Sequence, residues 1–207
     1  MAKSNGFYRF GRCVCSVVFK IFYRYKYINK NSIKDDKAYI IACNHISNSD
    51  PVLLGIGQKR TVNYMAKAEL FNNKFVAKLI TALGAFPVNR GSGDGKAINT
   101  ADELLKSGEL VAIFIEGTRS KTGEFLRPRS GVSIIAHATN TPVIPVCITA
   151  VSKHLFAKRI IHYGEPITPQ ELGLVDGTPK EYREASRRIM EKIAALREQD
   201  LNEYNSR

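Results

Sequence analysis

The chain has no acidic residue before Asp35, no CxxC pair, no internal repeat and no low-complexity tract. Each absence excludes something. Cys13, Cys15, Cys43 and Cys147 show neither CxxC nor metal-like Cys/His spacing, and nothing at the N-terminus resembles a cleavable signal. No metal site is expected, and the setting is read as reducing and cytoplasmic. A membrane-spanning helix is also missing: the uncharged run Cys13–Phe19 is far short of the ~20 residues a bilayer needs. The longer uncharged stretch 131–152 is interrupted by Asn140, Pro142 and Pro145, which predicts a helix followed by a strand. There is no GxSxG elbow, so Ser47 and Ser49 read as turn or cap groups rather than nucleophiles. The glycine-rich "GSGDGK" at 91–96 fails the Walker pattern, with Arg90 in place of the first glycine and Ala97 in place of Ser or Thr.

What is present fits one core: 207 residues with 44% hydrophobic composition. The formal net charge is +12, and eight basic residues (Lys3, Arg9, Arg12, Lys20, Arg24, Lys26, Lys30 and Lys34) precede Asp35. Such an excess suits an anionic partner: nucleic acid, a phospholipid surface or a phosphorylated substrate. At helical spacing Phe7, Phe10, Val14, Val17, Val18, Ile21, Phe22, Tyr25 and Ile28 share one face, while Arg9, Arg12, Ser16, Lys20, Arg24 and Lys26 occupy the rest. That is the pattern of a helix lying in a membrane interface with its basic residues toward headgroups; a helix packed on its own domain is the alternative. No DNA- or RNA-binding signature accompanies the charge, so no nucleic-acid partner is expected.

Beyond Asp35 short β-rich runs at 38–42, 62–66, 85–88, 110–115, 143–151 and 160–163 alternate with helical spacing at 70–83, 98–105, 131–139 and 178–196. Thr178 caps the last helix and Pro179 takes its first turn. The expected fold is α/β: a single domain with a central, mostly parallel or mixed sheet flanked by helices and preceded by an amphipathic N-terminal helix.

Chemistry concentrates where strands end. In "NHISNSD" His45 follows a buried-type strand and Asp50 stands five residues on, close enough for one turn to bring a carboxylate to the imidazole. With no serine nucleophile in view, a basic His45 would activate a hydroxyl of the substrate. In "FIEGTRS" Gly117 permits a tight turn, Thr118 and backbone amides can donate hydrogen bonds, and Arg119 offers a planar fork for phosphate. Arg90 in "GAFPVNR" also follows a short strand, so the two arginines could converge on one anion.

These segments with "TPVIPV", in this order over roughly residues 40–146, resemble the glycerolipid acyltransferase family, in particular its bacterial 1-acylglycerol-3-phosphate acyltransferases. The resemblance implies that His45 is the general base, Asp50 its orienting partner, Arg90, Glu116, Gly117, Thr118 and Arg119 the acceptor-binding groups, and Phe86 and Pro145 pocket-shaping positions. It further implies acyl transfer from acyl-CoA or acyl carrier protein to the 2-hydroxyl of lysophosphatidate at the cytoplasmic face of the cell membrane, with a phospholipid surface as partner and no cofactor beyond the thioester co-substrate. Residues 1–34 would form the membrane-interface helix and connector, and 35–207 the acyltransferase domain. Backbone amides near the HxxxxD turn would stabilise the oxyanion. Another phosphate-bearing acceptor, such as glycerol 3-phosphate or a different lysolipid, is the alternative within enzymes, and a non-catalytic basic lipid-binding module the alternative outside them. Two positions depart from the family: Ile115 stands where proline usually precedes Glu-Gly-Thr, and Asn89 where an acidic residue is frequent before the arginine.

Overall fold

Tyr39–Cys43 is apolar at every position and buried throughout, the signature of a central strand covered on both faces. The computed structural model describes residues 6–22, 24–89, 94–152 and 158–206. In chain order the strands are β1 (Tyr25–Ile28), β2 (Tyr39–Cys43), β3 (Val62–Lys67), β4 (Ala85–Val88), β5 (Leu110–Phe114), β6 (Val143–Ala150) and β7 (Arg159–Tyr163). The helices are α1 (Gly6–Phe22), α2 (Asp50–Gly57), α3 (Lys74–Ala82), α4 (Gly95–Lys106), α5 (Gly131–Thr139) and α6 (Pro179–Asn205). The seven strands form one mixed sheet ordered β1-β7-β6-β2-β5-β3-β4, antiparallel only between β6 and β7.

Strand β2 pairs in parallel with β5 on one side and β6 on the other, so Cys43 lies opposite both Phe114 and Val146. The loops leaving β2 and β5 therefore emerge side by side at the C-terminal edge, where open α/β sheets hold their ligands. One sheet face packs on α4, α5 and α6 through residues such as Ala101, Ile135, Ile189 and Ile193. The other packs on α2 through Leu53 and Leu54, with Phe19 of α1 against the same cluster.

The uncharged stretch 131–152 resolves into α5 and β6, and six strands coincide with the runs expected from the sequence. The seventh differs. Tyr25 and Ile28 continue the apolar spacing of α1, yet they belong to β1, which pairs in parallel with β7 from Tyr25↔Arg159 to Ile28↔His162. A four-residue segment is too short for period to separate strand from helix, and the open edge of β7 decides the outcome.

Helix α1 is pinned to the domain by a narrow stripe rather than by its apolar face. Tyr8 is buried and its hydroxyl accepts the Val62 amide at 3.1 Å, while burial raises its phenol pKa. Arg12, expected at the headgroups, instead donates to the Gln58 carbonyl, and a Cβ on Gly11 would lie 3.4 Å from Leu83. Phe7, Phe10, Val14, Val17, Val18 and Ile21 point outward and are 41% to 72% exposed. The helix thus packs on its own domain and leaves its apolar face uncovered.

Candidate active site

The turn after β2 is organised by one carboxylate. Asp50 opens α2 and is wholly buried; its Oδ2 accepts the amides of Ile46 and Ser47, both at 2.7 Å, and lies 2.8 Å from His45 Nδ1. The Ser47 and Ser49 hydroxyls bond each other at 2.8 Å, as befits turn groups. The His45 ring stacks on Phe114 with centroids 3.9 Å apart and planes 17° from parallel. When Nδ1–H donates to Asp50, the lone pair is on Nε2, which has no partner among the described residues on a side chain 15% exposed. Ring plane and tautomer are both fixed, and the basic nitrogen faces outward.

The loop after β5 clasps this histidine on both sides. The His45 amide donates to Glu116 Oε1 at 3.3 Å, and the His45 carbonyl accepts the Ser120 amide at 2.8 Å. Glu116 Oε2 accepts the Leu126 amide at 3.3 Å. Glu116, expected among the acceptor-binding groups, is 2% exposed with both oxygens held by main-chain amides, so it ties loops together. Burial raises its pKa, partly opposed by those amides. Gly117 adopts a left-handed backbone, φ 70°, and a Cβ there would come within 3.2 Å of Arg129 Cγ. Thr118 and Arg119 are exposed, and Arg119 has no hydrogen-bond or ion-pair partner among the described residues. Arg90 lies outside the described residues.

Ile115 has a physical role that proline could not fill: its amide donates to the Cys43 carbonyl at 3.0 Å, carrying the β2–β5 pairing one residue further. Phe86 and Pro145 line neither cavity described below. Phe86 is core, and Pro145 packs against Gly164, whose amide its carbonyl accepts at 2.8 Å; steric influence on the pocket would pass through their strands. The amides of His45, Ile46, Ser47, Ser49 and Asp50 are all engaged within the turn or its clasp, so these groups are not available as oxyanion donors. In the β5 loop the amides of Thr118 and Arg119 have no partner among the described residues.

Two cavities adjoin these loops. One, of about 540 Å³, is bordered by Glu116, Gly117, Thr118 and Arg129 with Met65 and Ile135 deeper in. The other, about 240 Å³ and almost wholly apolar, lies between α1, α2 and α3; Pro51 and Val52, the residues after Asp50, form part of its wall. Cys43, two residues before His45, is fully buried with its thiol pKa raised well above the ordinary value, so it is no nucleophile. No group of His, Cys, Asp and Glu that could hold a metal ion occurs among the described residues.

Three features escaped the sequence reading. The Asn44 side chain exchanges two hydrogen bonds with the Ile148 main chain, 3.0 and 2.8 Å, fastening the end of β2 to β6. The clasp by Glu116 and Ser120 requires knowing that β2 and β5 are neighbours. A second histidine–aspartate pair, His162 with Asp200 at 2.8 Å, joins β7 to α6 across 38 positions with no local motif to announce it.

A family model described as Acyltransferase matches residues 24–149. The 1-acyl-sn-glycerol-3-phosphate acyltransferase of Bacillus subtilis (strain 168) is 34% identical over 165 residues, covering 77% of this chain and 82% of that protein. The enzyme of the same name from Streptococcus pneumoniae (strain ATCC BAA-255 / R6) is 29% identical over 148 residues, 68% of this chain and 54% of that one, so the match spans about half of its length. The crystal structure of the 1-acyl-sn-glycerophosphate (LPA) acyltransferase PlsC from Thermotoga maritima superposes with a TM-score of 0.68 at 24% identity, over 97% of this chain and 79% of that one, a likeness of fold. With the family model covering more than half of the sequence and the Bacillus protein aligned over most of both chains, this protein belongs to the acyltransferase family.

Proposed function

We propose that the protein transfers a fatty acyl group from a thioester to the 2-hydroxyl of 1-acylglycerol-3-phosphate, producing phosphatidate. The observation that carries this reading is the His45–Asp50 contact of 2.8 Å with Nε2 free, at the meeting point of two loops beside a cavity. Nε2 accepts the proton of the acceptor hydroxyl as its oxygen bonds to the thioester carbonyl carbon. The tetrahedral intermediate then expels the thiolate, which takes the proton from the imidazolium. Asp50 steadies that imidazolium; base catalysis of this kind is worth about 10²–10⁴-fold. Arg119, with the amides of Thr118 and Arg119, supplies donors for the acceptor phosphate, and Arg90 joins them as a second cation. The donor is a thioester of coenzyme A or of acyl carrier protein, which share the same leaving group, and no other cofactor takes part.

The open apolar face of α1, flanked by exposed Arg9 and Lys20, lies on the lipid surface in which the acceptor is dissolved. On this reading the protein is a peripheral or monotopic enzyme of the cytoplasmic face of the membrane. Purified protein incubated with lysophosphatidate and either acyl-CoA or acyl-ACP should form phosphatidate with at least one donor. Transfer to glycerol 3-phosphate but not to lysophosphatidate would reassign the acceptor, and no transfer with either donor to either acceptor would overturn the reading.

A further inference from the structure

Helix α3 is amphipathic in the opposite sense to its neighbours in the core: none of its residues is buried. Phe75 is 90% exposed, Leu79 53% and Val76 40%, one helical face at i, i+1 and i+4; Leu70, in the 3-10 turn Ala68–Phe71 just before it, is 50% exposed. Of the twelve large hydrophobic residues that stand exposed among the described residues, ten belong to α1 or to 70–79. Scattered exposure is normal for a soluble surface, but this concentration is not.

The two helices border one groove. Ile80 and Leu83 line the apolar cavity together with Gly11 and Cys15 of α1, Leu83 meets Gly11, and Leu70 stands at once in its lining and in solvent. Neither residues 1–34 nor residues 70–89 contain a single Asp or Glu, while Lys74 and Lys78 stand exposed on α3 as Arg9 and Lys20 do on α1. A surface that is apolar at its centre and basic at its margin, with the adjacent Glu69 paired to Lys67 at 2.9 Å, complements an anionic bilayer.

We propose that α3, led by Phe75 and Leu79, is a second membrane-contacting element, so that the protein sits on anionic phospholipid through two helices with the mouth of the apolar groove between them. This rests on the membrane reading given above for α1 and extends it to a different part of the chain.

The protein contains no tryptophan, so a single one reports its own surroundings. Phe75→Trp should be strongly quenched by brominated phosphatidylglycerol vesicles, whereas Val175→Trp, in an exposed loop position beside His137 of α5, should not. In co-sedimentation with the same unbrominated vesicles, Phe75→Ser/Leu79→Ser should lower the partition coefficient at least about tenfold. Its turnover of a dispersed short-chain acceptor should equal that of the wild type. Unchanged partitioning of this double variant and an unquenched indole in Phe75→Trp, with wild type and Phe10→Ser/Ile21→Ser differing as the α1 reading requires, would overturn the inference for α3 alone. Failure of the wild type to bind the vesicles would overturn both. A dimer in sedimentation velocity that dissociates in Phe75→Ser/Leu79→Ser would assign the face to a second copy of the chain and overturn the lipid assignment.

Discussion

Two histidine–aspartate pairs with the same Nδ1-to-carboxylate distance of 2.8 Å serve this chain in opposite ways. His45 and Asp50 lie within one turn at the C-terminal edge of the sheet, with the carboxylate tied to two turn amides and Nε2 turned outward. His162 and Asp200 come from β7 and α6; both are buried, and Thr149 of β6 donates to the second Asp200 oxygen at 2.6 Å. The first constellation orients a ring and leaves Nε2 without a partner among the described residues, as the proposed base requires. The second joins a helix to two strands. The dyad by itself carries no function: what its surroundings leave uncovered decides between a base and a bolt.

Swapping the same substitution between the pairs breaks this comparison most sharply. His45→Ala should lower acyl transfer by about 10³-fold or more while melting within a few degrees of wild type. His162→Ala should do the reverse, because removing one partner of a buried pair costs roughly 3–5 kcal/mol. Its turnover per folded molecule should remain near that of the wild type. Asp200→Asn should likewise act on stability, whereas Asp50→Asn should lose activity together with some stability, because its carboxylate also accepts two turn amides. Phosphatidate formation and urea unfolding, measured on all four variants, check the assignment; strong turnover in His45→Ala would falsify the proposed base.

The difference between the pairs also marks what sequence can disclose. His45 and Asp50 are five residues apart in a local turn, so their meeting is legible from spacing, as are the strand and helix periods that give six of the seven strands. His162 and Asp200 meet only because α6 lies on β6 and β7. The clasp on His45 is hidden for the same reason: Glu116 and Ser120 reach it because β5, fifth in the chain, is next to β2 in the sheet. Strand β1 is masked by its four-residue length; helix α1 is legible from its period, but the stripe by which it packs is not. Tyr8 and Gly11 show how a helix can be held by one aromatic anchor and one small contact instead.

A smaller contrast lies within the β5 loop, where exposed Arg119 stands three residues from buried Glu116. A hydrogen bond to a charged group is worth about 1.5–3 kcal/mol. Arg119→Ala should therefore reduce kcat/KM for the phosphorylated acceptor roughly ten- to a hundredfold. The KM for the thioester should scarcely move, and thermal stability should be unchanged because no side-chain partner is lost from the folded protein. A rise confined to the thioester KM would transfer the arginine to the other substrate.

Glu116→Gln should show the smallest effect, and one of a different kind. The amide keeps one oxygen for a main-chain N–H but turns an NH₂ group toward the other, leaving a buried donor unsatisfied at a cost of about 1–3 kcal/mol near neutral pH. The pH dependence gives the sign. Because burial raises the native pKa above the ordinary 4.5, the folded protein holds this proton more tightly than the unfolded chain. The charged carboxylate is thus a burden on the fold that is absent below 4.5 and sets in as pH rises through the native value. Glutamine does not titrate, so the stability advantage of wild type over Glu116→Gln should widen as pH falls through that window. Paired urea unfolding curves from pH 7 down to pH 4 isolate the difference from every other titrating group. A gap that narrows on acidification would mean that the two amides outweigh burial and hold the carboxylate below its usual range, making Glu116 a charged anchor for His45 rather than a strained one.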